Sequence, residues 1–105
     1  MICLAAMADL TGKWTGALKF ADGNEYQLIY NFKVDGEKLT GSIAANDNDY
    51  PIIDGKFTNG TDISFKIDFN GSILPHTGKF YGDSTIIDFD FNNQKMHVKL
   101  ARAAQ

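Results

Sequence analysis

The chain has a single cysteine, no long apolar run, no block of like charge and only two histidines in its 105 residues. Each shortage excludes something. Cys3 has no partner within the chain, so no intramolecular disulfide can staple the fold and cysteine usage leaves the redox compartment open. No apolar stretch approaches the about 18 residues a membrane-crossing helix needs. Ten Lys plus Arg against 13 Asp plus Glu leave a net charge of −3 without runs of either sign. Nucleic acid is therefore not an expected partner, since binding it requires a concentrated basic surface that displaces counterions. His76 and His97 have no second His, Cys or carboxylate at metal-ligand spacing, so neither a metal site nor a cofactor is expected.

Aromatic weight and regular punctuation are what the chain does have. Eight Phe, four Tyr and one Trp accompany a hydrophobic fraction of 44%, enough for one core in one domain. Turn signals recur at Asp22-Gly23, Asp35-Gly36, Asn46 to Asp49, Asn59-Gly60, Asn70-Gly71 and Gly82-Asp83, with Asn92-Asn93 as a weaker last member. Asn-Gly and Asp-Gly supply the positive φ that two-residue hairpins need, which predicts an antiparallel meander of about eight strands. Two of these signals, Asn59-Gly60-Thr61 and Asn70-Gly71-Ser72, also satisfy the N-glycosylation pattern. Their place at hairpin tips already accounts for them.

Between the turns the sequence alternates with period two. Lys13 to Phe20 puts Trp14, Gly16, Leu18 and Phe20 on one face. The next strand aligns Tyr26, Leu28, Tyr30, Phe32 and Val34, and the third Leu39, Gly41, Ile43 and Ala45. Ile63, Phe65, Ile67 and Phe69 alternate against Ser64, Lys66 and Asp68; Ile87, Phe89 and Phe91 against Asp88 and Asp90; Met96, Val98 and Leu100 against Lys95, His97 and Lys99. The stretches Tyr50 to Thr58 and Ser72 to Tyr81 are less regular, and Ile52-Ile53 before Asp54-Gly55 predicts a bulge where the first of them changes face. An all-β fold follows, an eight-stranded antiparallel up-and-down barrel, because closure removes the exposed edges a flat meander would leave. A two-sheet sandwich is the alternative; the shortness of every connection disfavours it.

Residues 9–105 form this domain, and residues 1–8 stand apart. Ala6-Met7-Ala8 has the A-x-A form of a signal-peptidase site, so the segment reads either as the remnant of a signal peptide, with a periplasmic or secreted location, or as an apolar N-terminal segment of a cytoplasmic protein. In the second reading it could mediate self-association.

Gly12-Lys13-Trp14, a G-x-W triplet opening the first strand of a meander, resembles the calycins, the lipocalin and avidin-like barrels. In that family the Trp closes the base of the barrel and a basic residue near the end of the last strand commonly packs across it, a part the resemblance would give to Arg102. The segment from Leu10 to Ile43 is also similar to small uncharacterised bacterial exported proteins. The resemblance implies a container for a small molecule. It does not imply biotin, because the further tryptophans that line an avidin pocket are missing.

The expected function is thus the binding of a small, mainly apolar ligand in or at the mouth of the barrel, with Trp14 as base and Tyr26, Tyr30, Phe32, Phe65 and Phe89 as wall. Small inward residues Gly16, Gly41 and Ala45 beside the aromatic second strand leave space for it. An eight-stranded barrel can equally be filled by its own side chains, which would make the chain an interaction or assembly module. A third reading is an isomerase- or cyclase-type enzyme acting on a hydrophobic substrate. Its weak catalytic candidate is His76, which enters the interior as a general base if Leu74, His76, Gly78 and Phe80 share the inner face and is otherwise an ordinary satisfied or exposed histidine. Asp88 and Asp90 are expected to pair outward with Lys95, His97 and Lys99 across a hairpin.

Overall fold

Alternation and turn chemistry produce nine strands in the computed structural model, which describes residues 10–20, 23–45, 47–91 and 93–103. They are β1 (Gly12–Lys19), β2 (Glu25–Asp35), β3 (Lys38–Ala45), β4 (Asn48–Pro51), β5 (Ile53–Thr58), β6 (Asp62–Phe69), β7 (Ser72–Phe80), β8 (Ser84–Phe91) and β9 (Gln94–Arg102). Every ladder is antiparallel, and apart from β4 and β5 each strand pairs with its neighbours in sequence. The ring closes where β1 meets β9 through Trp14 opposite Arg102 and Thr15 opposite Ala101, extended by the Ala103 amide donating to the Lys13 carbonyl at 2.9 Å. β4 and β5 both lie along β3 and make a single stave, so the barrel has eight. No helix among the described residues is long and apolar enough to cross a membrane. The expectations placed on residues 1–8 lie outside the described residues.

The tips adopt the geometry their sequences predict. Asn59 and Gly60 have φ of 56° and 70°, and Asn70 and Gly71 of 53° and 91°, two consecutive positive values at each hairpin. The expected bulge falls between Ile53 and Lys56, where the β5–β6 register shifts and Asp54 takes a φ of 52°. Ile52 consequently packs on the core while Ile53 is 38% exposed. Gly55 makes the bend possible, because a Cβ there would stand 2.1 Å from the Leu39 carbonyl oxygen.

One end of the barrel, the base, is solid. Trp14 and Leu10 are fully buried, and the indole Nε1 donates to the Leu10 carbonyl at 2.9 Å. The Arg102 guanidinium lies over the indole ring, 4.4 Å from its centroid, and donates to the Thr11 carbonyl at 3.1 Å. Phe80 meets Trp14 edge-on at 6.1 Å and Phe57 at 5.8 Å. Outside, Asp88 accepts from His97 Nδ1 at 2.5 Å, and Lys95 reaches Asp90 at 3.8 Å, the cross-strand pairing expected of that hairpin.

Thr85 is the exception within the packed region. It is fully buried, and its Oγ1 is the one sealed side-chain polar atom without a partner among the described residues. Replacing it by its apolar isostere removes an unsatisfied hydroxyl at constant shape, so Thr85→Val is expected to raise unfolding free energy by about 1 kcal/mol. Chemical denaturation checks this; a less stable variant would show that the hydroxyl is satisfied.

Candidate functional site: a cavity at the open end

The strands that reach the other end enclose a cavity of about 940 Å3. Its rim is a chain of aromatic rings contributed by residues at or beside hairpin turns. Tyr26 meets Phe20 at 5.4 Å, Phe20 meets Phe91 at 6.0 Å, Phe91 meets Phe69 at 5.6 Å, and Phe69 meets Tyr50 at 5.5 Å. All five line the cavity. The Tyr50–Phe69 contact bridges β4 and β6, which lie side by side without a backbone ladder, so side chains alone close the wall there. Asn48, Asp49, Asn70 and Gln94 add a polar fringe.

Farther in, Leu18, Leu28, Tyr30, Ile43, Ile67, Leu74, His76 and Phe89 form the wall. His76 is 4% exposed and points inward with Leu74, Gly78 and Phe80, the face on which its functional reading depended. Its ring is clamped between Phe65, at 4.8 Å, and Phe89, at 4.3 Å, each tilted by only 19° from it. The stack follows from register, since Phe65, His76 and Phe89 stand directly opposite one another on β6, β7 and β8. Nδ1 lies 2.9 Å from the Leu74 carbonyl oxygen. Burial pushes the imidazole down to about 4, only partly opposed by that hydrogen bond. Tyr30 is 1% exposed, and burial raises its hydroxyl above the ordinary tyrosine value.

The structure divides the residues expected to form the site. Tyr26, Tyr30, Phe89 and His76 border the cavity. Phe32 and Phe65 do not; Phe32 packs at a tilt against Tyr30 at 5.6 Å and edge-on against Phe65 at 6.1 Å, beyond the cavity wall. Trp14 lies farther down, in the base. Gly16 and Gly41 open no space: a Cβ on Gly16 would meet Leu100 at 2.7 Å, and one on Gly41 the Asn31 carbonyl oxygen at 1.7 Å. Of the three small residues only Ala45 faces the cavity. Phe20, Tyr50, Phe69 and Phe91 complete the rim instead, and their nearness to turn signals is what marks them in the sequence.

No cation lines the cavity among the described residues, and Asp49 is its one acidic side chain. No group of three or more His, Cys, Asp or Glu is placed to hold a metal ion among them. Comparison with protein-family models, curated proteins and solved structures finds no match to this chain. The fold is nevertheless a small all-β barrel of eight antiparallel staves, consistent with a calycin-like architecture.

Proposed function

We propose that the chain is a calycin-like binding protein that holds a small, mainly apolar molecule in the open half of its barrel. The cavity of about 940 Å3 carries this reading. Its volume lies in the range of small-molecule sites, about 300–1,000 Å3, and its wall is mostly aliphatic and aromatic with a few polar groups. The plug formed by Trp14, Phe80 and Arg102 supports the same reading, since a vessel closed at one end admits a ligand only through the rim. Catalysis by His76 is less well supported. A ring that protonates only near about 4 is a weak base for abstracting a proton at neutral pH.

Nile red, a neutral apolar dye, provides the test. Its fluorescence is expected to rise on titration with the protein and to saturate at one dye per chain. Ala45→Trp places an indole in the cavity and is expected to weaken binding at least about tenfold without unfolding the barrel. Dye binding that ignores this substitution would place the bound dye elsewhere and overturn the proposal.

A further inference from the structure

Resting on that reading, we infer that the ligand is an uncharged apolar molecule carrying a hydroxyl, held by donation of its proton to Nε2 of His76. The direction of this bond follows from the other ring nitrogen. A carbonyl oxygen can only accept, so the 2.9 Å contact with the Leu74 carbonyl requires Nδ1 to carry the hydrogen. In the neutral imidazole Nε2 is then a bare acceptor. Nε2 has no hydrogen-bond partner among the described residues, and it is not sealed in the protein, because Thr85 Oγ1 alone is both sealed and unpartnered. The Phe65 and Phe89 rings prevent the imidazole from tipping away, so the acceptor is fixed before a ligand arrives.

The charge of the ligand follows from the lining. A carboxylate would enter a cavity that offers no cation among its described residues and has Asp49 at its fringe. It would lose its hydration without compensation, and it would bring a second acceptor to a nitrogen that needs a donor. An ether or hydrocarbon fits the apolar wall but leaves Nε2 buried and unpaired. A hydroxyl satisfies it, and one on an aromatic or alicyclic body suits the ring-lined rim.

Four compounds of one shape separate these cases by displacement of Nile red: a naphthol, the methylnaphthalene and methoxynaphthalene of the same substitution pattern, and the corresponding naphthoate. The naphthol is expected to displace dye at about tenfold lower concentration than the methyl and methoxy compounds, the size of one buried hydrogen bond, and the naphthoate to displace least. His76→Phe keeps a ring in the stack and is expected to erase the naphthol's advantage over methylnaphthalene. Equal displacement by naphthol and methoxynaphthalene on the unmodified protein overturns the inference without needing the variant. So does a naphthol advantage that persists in a folded His76→Phe protein. In both cases dye binding that Ala45→Trp weakens would leave the binding function standing, whereas no dye binding at all would remove the function itself.

Discussion

Trp14→Ala is expected to cost about 3–5 kcal/mol of folding stability, the range for emptying a fully buried large aromatic site. Three interactions disappear together: the edge-on contact with Phe80 at 6.1 Å, the Arg102 guanidinium at 4.4 Å, and the Nε1 bond to the Leu10 carbonyl at 2.9 Å. The loss is amplified by position. Trp14 and Arg102 are also one of the two residue pairs on which β1 and β9 close the ring, so a cavity here loosens the seam of the barrel. Against a typical domain stability of about 5–15 kcal/mol, this cost is a large share of the total. In urea the midpoint should fall by about 1–5 M for a slope near 1–3 kcal/mol per M. Arg102→Ala takes away the cation over the indole and its bond to the Thr11 carbonyl but leaves the indole in place, and should cost about 1–2 kcal/mol. Similar losses for the two variants would contradict the assignment of the indole as the plug.

Acidification produces the second large effect, through His76. Its folded value of about 4 lies below the ordinary 6.5, because charging the ring between Phe65 and Phe89 strips it of water. Between these values the unfolded chain binds a proton that the folded chain refuses, so stability falls as pH falls from about 6.5 to about 4. Above that window the penalty is absent; below it the penalty is complete. At 1.36 kcal/mol per pH unit the contribution amounts to about 3 kcal/mol. His76→Phe cannot take up the proton. The difference in unfolding free energy between the unmodified protein and this variant is therefore expected to shift by about 3 kcal/mol across the window, in the variant's favour at low pH. Subtraction removes the titration of the surface carboxylates, which both proteins share. A pH-independent difference would mean that the imidazole is hydrated in the folded state.

Trp14 was legible in the sequence as an inward residue, whereas the irregular Ser72 to Tyr81 stretch left the face of His76 open until the structure placed it inside. Asn-Gly pairs at 59–60 and 70–71 demand positive φ, and such turns join strands only as hairpins. The Ile52-Ile53-Asp54-Gly55 run signalled its bulge by putting two apolar residues where alternation allows one. On the regular strands side-chain direction was equally legible, down to the opposition of Asp88 and His97 across the last hairpin. These are local properties: two-residue periodicity and turn torsions depend on near neighbours, and an antiparallel meander needs no information from farther away.

Height along the barrel axis is not local. Trp14, Phe32 and Phe65 share the inner face with Phe20, Tyr26 and Phe69, but the first three fill the closed half and the others ring the cavity. Which side chains meet at one level is set by the stagger of all eight staves, including the shift at Asp54 and the short closure of β1 on β9. The same stagger places Phe65 and Phe89 on either side of His76 and turns an unremarkable histidine into a buried, oriented acceptor. The amino-acid sequence thus determined that this chain is an antiparallel meander with an aromatic interior. Tertiary structure decided that half of the interior is solid and half is hollow, because the balance between side-chain volume and enclosed space exists only once the ring has closed.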